Sequence, residues 1–258
     1  MNRIDAKFQV LQEQEKKALI TYLVAGDPDL EKTVELVIAK AEAGADIIEL
    51  GIPFSDPLAD GTVIQAAAKR ALDKGTHTDG VFDAVEAIRK ETQVPLVFLV
   101  YYNSVLAYGR EKFLARCKET GVDGLIIPDL PYEEKTEMTD LMDKAVHLIP
   151  LVAPTSADRV QELVKDAKGF VYCISTVGIT GGAVGFHSEL ETFLAKVKKQ
   201  TDTPIALGFG ITKKEQVKPL LPMVDGVIMG SKIVDVVDQG QGDAKILGDF
   251  VRSIKNEF

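Results

Sequence analysis

Glu49 stands in the run D-I-I-E-L-G at residues 46–51, a carboxylate set among aliphatic and β-branched neighbours. An isolated charge in apolar surroundings is costly, so such a group pairs, takes up a proton, or is retained for chemistry. The run breaks into G-I-P-F-S-D-P-L-A-D-G at residues 51–61, which adds Asp56, Asp60 and Gly61. Carboxylates held in different surroundings titrate apart and divide acid and base roles between them. An ion pair with a Lys or Arg is the plain alternative for Glu49.

A second set lies in the last third of the chain: G-F-G at 208–210 and M-G-S at 229–231, followed by Lys232. A third is the glycine-rich stretch T-V-G-I-T-G-G-A-V-G-F-H at 176–187, whose length suits a lid that excludes water. Its glycines lack the spacing of a dinucleotide fingerprint, and G-F-G-I-T-K is no P-loop. His77, His147 and His187 are too dispersed for a local metal motif, so no metal is expected. D-P-D-L-E at 27–31 lacks the glycine and register of a calcium loop and reads as a helix cap. Ser55, Ser175 and Ser231 have no neighbouring His/Asp arrangement, which argues against a serine nucleophile.

These residues need a scaffold. Apolar, β-branched-rich runs begin near Leu19, Asp46, Leu96, Asp123, His147, Phe170, Pro204 and Asp225, which makes eight strand candidates. Between them apolar residues recur at helical spacing: Leu30, Val34, Val37 and Ala41; Val160, Leu163, Val164 and Ala167; Leu190, Phe193, Leu194 and Val197; and finally Ile246, Phe250 and Ile254. Asp27-Pro28 resembles a helix start with Pro near the first turn. The wide second gap accommodates two helices, over about 62–73 and 79–91. Strands alternating with helices imply a parallel sheet with right-handed crossovers. The fold class expected is α/β, a (β/α)8 TIM barrel with an additional N-terminal helix at its bottom; an open doubly wound sheet is the alternative.

Barrels of this kind place their chemistry at the C-terminal strand ends. Glu49 passes that filter, sharing a face with Ile47 and Gly51, and Asp56 and Asp60 lie in the loop that follows. Tyr101 ends the third strand, Asp129 follows the fourth and Tyr172 lies in the sixth. The G-F-G and M-G-S turns fall after the seventh and eighth strands. There backbone N–H groups and a helix N-terminus commonly bind phosphate, with Lys232 a possible added charge.

With 258 residues, 46% of them hydrophobic, and no linker or low-complexity block, one domain over 1–258 is expected. The net charge of −9, without basic runs interleaved with aromatics, argues against nucleic acid as a partner. Cys117 and Cys173 form no disulfide framework, which fits a reducing compartment. The N-terminus lacks the apolar core of a secretory signal, and no run approaches the ~20 residues of a membrane span. A soluble, cytoplasmic protein with no membrane partner is expected.

In order along the chain, L-I-T-Y-L-V-A-G-D-P-D from Leu19, E-L-G-I-P-F-S-D-P-L-A-D-G from Glu49, D-L-P from Asp129, G-I-T-G from Gly178, G-F-G-I from Gly208 and G-S at Gly230 resemble the tryptophan synthase alpha chain family. The resemblance runs from about Leu19 to Val237, and the stretch from Glu49 is its most specific part. It implies a lyase of tryptophan biosynthesis, in which indole-3-glycerol phosphate undergoes retro-aldol cleavage to indole and glyceraldehyde 3-phosphate. Indole would pass to a β chain that carries pyridoxal phosphate, in an α2β2 tetramer; this chain itself would hold no cofactor.

Carried over residue by residue, Glu49 matches the catalytic acid/base, Asp60 the carboxylate facing the indole N–H, and Tyr172 a tyrosine near the substrate. Tyr22 stands where an aromatic residue, often Phe, meets the indole ring. In V-Y-Y-N the resemblance favours Tyr101 over Tyr102 as the active-site tyrosine. Thr180 and Gly181 match the closing loop, and Phe209, Gly210, Gly230 and Ser231 the phosphate site. Thr155 and Lys232 depart from the better-known family forms. The loop at 102–109, with 53–57 and Pro131-Tyr132, would face the β chain. A stand-alone lyase for the same substrate and a non-catalytic, phosphate-binding regulatory barrel remain the alternative readings.

Overall fold

Short β-branched runs and amphipathic helices alternate along the chain as the spacing requires. The structure, a computed structural model, describes residues 1–175, 184–208, 210–211 and 213–258, without the side chains of 184–188. The strands are β1 (Ala18–Val24), β2 (Ile47–Gly51), β3 (Leu96–Leu99), β4 (Gly124–Ile126), β5 (His147–Leu148), β6 (Leu151–Val152), β7 (Val171–Ile174), β8 (Ile205–Gly208) and β9 (Gly226–Met229). The helices are α1 (Arg3–Glu13), α2 (Leu30–Glu42), α3 (Thr62–Asp73), α4 (Thr78–Glu91), α5 (Tyr102–Tyr108), α6 (Arg110–Thr120), α7 (Thr136–Thr139), α8 (Val160–Val164), α9 (Val184–Lys198), α10 (Ser231–Gln239) and α11 (Ala244–Lys255).

All strand pairs are parallel, in the order β5-β4-β3-β2-β1-β9-β8-β7-β6. β5 and β6 are two halves of the expected fifth strand, interrupted at Ile149-Pro150. The N–H of Ile149 donates to Leu125 O of β4 at 2.8 Å, and the Pro150 carbonyl accepts from Tyr172 of β7 at 2.9 Å. A proline has no N–H for the ladder, so this strand changes partner at Pro150 and closes the sheet into a barrel.

The expected N-terminal helix is α1. Ile4, Phe8 and Leu11 enter one buried cluster with the inward residues Ile20, Ile47, Val97, Ile126, Phe170, Ala206 and Ile228, so the helix plugs the barrel floor. Around this floor three aspartates repeat one device. Asp46, Asp123 and Asp225 precede β2, β4 and β9, and each accepts the N–H of the neighbouring strand's first turn, from Leu19 at 2.8 Å, Leu96 at 2.9 Å and Ile205 at 3.0 Å. Each is also paired with cations: Asp46 with Lys255 at 2.5 Å, Asp123 with Arg3 at 2.8 Å and Arg89 at 2.9 Å, and Asp225 with Lys17 at 3.3 Å.

Several local expectations need correction. The segment 102–109 is not an open loop: residues 102–108 form α5 and bury Val105. The expected cap at 27–31 does stand: Pro28 lies just before the first turn of α2, and the N-cap of that helix is Asp29, whose side chain accepts from Lys32 N at 2.7 Å. On α11, which packs against α2, Ile254 is buried and Phe250 packs against the core as expected, but Ile246 is half exposed and Leu247 and Val251 are buried in its stead. α2 itself buries Thr33, Leu36, Val37 and, contrary to its charge, Lys40. Cys117 and Cys173 are free and buried, in α6 and β7.

Candidate functional site

At the C-terminal end of the barrel the strands open onto a cavity of about 280 Å³. Its walls are apolar: Leu99 from β3, Ile126 from β4, Leu151 from β6, and Ile64 of α3 above them. Only a few polar groups enter it, among them Glu49, Asp60, Tyr22, Tyr172 and Ser231. An apolar slot with sparse, convergent polar groups suits a flat aromatic ligand with one polar end.

Glu49 forms part of the cavity wall from β2. It is 1% exposed, and among the described residues its Oε1 has no hydrogen-bond partner and no ion pair involves it. Burial pushes its carboxyl up to about 8, opposed by the more distant positive charge of Lys40. A neutral, proton-bearing carboxylic acid at neutral pH follows. Tyr22 pairs with Glu49 across β1 and β2, and its hydroxyl lies over Gly51, where a Cβ would sit 2.0 Å from it. Tyr172 of β7 lies over Gly208 in the same way, 2.5 Å from where a Cβ would stand. The two glycines clear room for two rings across the barrel mouth. Burial raises the phenol pKa of both tyrosines, and the nearby carboxylates raise it further, so both remain neutral donors.

Asp60 reaches the cavity from the loop after β2 and is half-buried. Desolvation raises its carboxyl, while a hydrogen bond from Tyr101 pulls it down. Tyr101 is itself buried, stacked on Phe54 at 5.2 Å, and its hydroxyl accepts from Ala59 N at 3.0 Å. It thereby ties the Asp60 loop to the end of β3. Tyr102 points elsewhere, donating to Glu137 at 2.8 Å. Asp56 is exposed and bonded to Ser55 at 2.5 Å. Asp129 caps the next loop by accepting from Tyr102 N at 2.8 Å.

Across the cavity lie Gly210, Ile211, Gly230 and Ser231. Gly210 has φ +83°, a conformation that glycine adopts without strain. Gly230 is the N-cap of α10 and leaves the first N–H groups of that helix without a side-chain cap, so the dipole end faces the cavity. This end of the cavity can receive an anion. The ammonium of Lys232 is paired with Asp235 at 2.7 Å.

Thus Tyr22, Glu49, Asp60, Tyr172, Gly210, Gly230 and Ser231 line one cavity, and Tyr101 supports it from behind Asp60. Thr180, Gly181 and Phe209, and with them most of the expected lid, lie outside the described residues. Two histidines have other work: His77 caps α4 by accepting from Gly80 N at 3.0 Å, and His147 meets Asp5 at 2.8 Å beneath the barrel. The reading of the sequence passed over the apolar wall of Leu99, Ile126 and Leu151. Each is the inward residue nearest the C-terminal end of its strand, a signal available from strand-end position and parity alone.

A family model described as "Tryptophan synthase alpha chain" matches residues 8–256. The tryptophan synthase alpha chain of Alkaliphilus metalliredigens is 52% identical over 244 residues, covering 94% of this chain and 92% of that one. That of Thermoanaerobacter sp. is 49% identical over 99% of both chains. Among solved structures, the alpha chain from Legionella pneumophila superposes with a TM-score of 0.90 at 33% identity, over 100% of this chain and 97% of that one. A chain of the tryptophan synthase complex from Pyrococcus furiosus gives 0.83 at 34% identity, over 93% and 96%.

Proposed function

The chain belongs to the tryptophan synthase alpha chain family, and from that premise we propose that Glu49 and Asp60 carry the retro-aldol cleavage of indole-3-glycerol phosphate in the cavity at the barrel mouth. The chain is a carbon–carbon lyase subunit of tryptophan biosynthesis. One observation carries the assignment of Glu49: its carboxyl is buried at the cavity, its Oε1 has no partner, and burial holds it protonated near neutral pH.

Indole leaves poorly until C3 is protonated, so the reaction needs an acid there. Glu49 gives its proton to C3, and the bond from C3 to the glycerol carbon then breaks. The carboxylate left behind accepts the proton of the hydroxyl that becomes the aldehyde, which restores the acid. Asp60, tied to Tyr101 and open to the cavity, faces the ring N–H and stabilises the positive charge that develops there. Tyr22 and Tyr172 flank the ring. The phosphate rests on the backbone at Gly210 and the α10 N-terminus at Gly230 and Ser231, and by family resemblance Thr180, Gly181 and Phe209 are further substrate-binding residues.

The whole chain serves as one barrel domain, in the cytoplasm; among the described residues no helix is long and apolar enough to cross a membrane. Indole passes to a β chain in an α2β2 assembly, and pyridoxal phosphate belongs to that partner, while this chain works through its own side chains. The mouth bears exposed apolar groups, Leu58 at 91% and Leu106 at 48%, beside the 53–57 loop and on α5, in the region assigned to the β chain.

Indole release by the purified chain, alone and with the β chain, tests this reading. Both assays should yield indole, with stimulation by the partner. Ligand binding without indole in either would overturn it.

A further inference from the structure

The helix layer of the barrel is thin on either side of its divided strand. α2, α4 and α6 have 13, 14 and 11 residues, whereas α7, before β5, has 4 and α8, after β6, has 5. Parallel strands need cover on both faces, and helices this short leave β5 and β6 incompletely covered on the outside. The result is an apolar cleft of about 240 Å³. Ile127, Leu148, Ile149 and Leu151 of the barrel wall line it, with Leu130 and Leu163 from the segments outside.

The cleft meets the wall where Pro150 interrupts the strand. Ile149 and Leu151 pack with the interior of the barrel, and Ile127 and Leu148 with the outer core, so the cleft is lined from both sides of the sheet. Pro128 and Leu151 line both this cleft and the catalytic cavity, and the two spaces therefore share a wall. At the rim Lys135 donates to the Tyr132 hydroxyl at 3.1 Å and to Asp166 at 3.2 Å, and its ammonium lies 4.2 Å from the centre of the Tyr132 ring. Charge there is balanced within the protein, which favours an uncharged occupant. An apolar cavity of about 150 Å³ takes up benzene, so this larger one admits a two-ring molecule. A ring N–H at the rim would find the Asp166 carboxylate as acceptor, and a ring face the Lys135 ammonium.

We propose that this cleft is a second binding site for a flat, uncharged aromatic molecule, and that its occupant is the indole released in the cavity on the other side of Leu151 and Pro128. This rests on indole being the product made there. The chain then holds its product at two places, one at the barrel mouth and one behind the broken strand.

Methyl NMR of the unaltered chain titrated with indole tests the proposal without any variant. Leu130 and Leu163 line only the cleft, and Leu99 and Ile64 only the catalytic cavity, so the two sites report separately. Both pairs of methyls should shift and saturate. Saturable shifts confined to Leu99 and Ile64, or shifts at Leu130 and Leu163 that rise linearly to the solubility limit of indole, would overturn the proposal. Ala167→Phe, which places a ring in the cleft, should abolish the shifts at Leu130 and Leu163 while those at Leu99 and Ile64 and the rate of indole release stay as in the unaltered chain. Persistence of the Leu130 and Leu163 shifts in that folded variant would also overturn it. A chain that releases no indole from indole-3-glycerol phosphate, alone or with the β chain, sinks the catalytic reading instead, whatever these methyls report.

Discussion

The two ends of the barrel use acidic residues in opposite ways. At the floor, Asp46, Asp123 and Asp225 each bind a strand N–H and at least one cation, so every carboxylate is satisfied. At the mouth, Glu49 is buried and among the described residues has an oxygen with no partner, and Asp60 is hydrogen-bonded by Tyr101. Carboxylates that are paired and hydrogen-bonded hold strands in register. One that is buried and unpaired keeps its proton and is free to give it away. A carboxylate in this barrel is thus assigned to stability or to chemistry by the company it keeps.

Exchanging the ends in turn tests that division. The largest effect is expected from Glu49→Gln, which keeps shape and burial but removes the proton: kcat for indole release should fall roughly 10²- to 10⁴-fold without loss of melting temperature. The folded-state pKa of Glu49 lies above its ordinary value of 4.5. The stability this group contributes is therefore complete below about 4.5 and lost as pH rises through about 8. The Gln variant should lack that decline, which denaturant titrations across this range would show. At the floor, Asp123→Ala strands Arg89 and the Leu96 N–H, and should cost on the order of 3 kcal/mol in denaturant unfolding while the folded fraction keeps its kcat.

Smaller effects sharpen the picture of the mouth. Gly51→Ala places a methyl against Tyr22 and should displace that ring, lowering kcat/KM by up to about 10²-fold with little change in melting temperature. Leu58→Asp should leave indole release by the isolated chain unchanged and weaken assembly with the β chain, measurable by size exclusion or calorimetry.

Much of the scaffold was legible in the sequence, because short β-branched runs and intervening helical periodicity are strong local signals. All eight expected strand starts fall within a residue of the observed ones, and the paired helices after β2 lie where the wide gap required. What escaped depended on contacts made at a distance. The fifth strand divides because Pro150 must serve two neighbours. α5 is helical because Val105 finds a place in the core, although its residues read as a loop. The buried stripe of α11, packed on α2, is wider than the most obvious apolar spacing, taking in Leu247 and Val251 and leaving out Ile246.

The site was legible where residue type betrayed a cost, as with Glu49, and at the glycine turns. It was opaque where residue type misled. Lys232, beside the helix N-terminus, is engaged by Asp235, whereas Lys40, which ordinary helix patterning would put in water, faces the core. In the Tyr101-Tyr102 pair one ring turns inward to the Asp60 loop and the other outward to Glu137, a parity that depends on where β3 ends.

The central claim is that Glu49 is a neutral acid at working pH, whereas the floor carboxylates are held in ion pairs and strand hydrogen bonds. Infrared difference spectroscopy between the unaltered protein and Glu49→Gln tests it directly, through the C=O stretch of a protonated carboxyl. The account predicts a band present at pH 7 that disappears with a midpoint of about 8, in parallel with the loss of kcat/KM. A band absent at pH 7, with a midpoint at the ordinary glutamate value of 4.5, would contradict it.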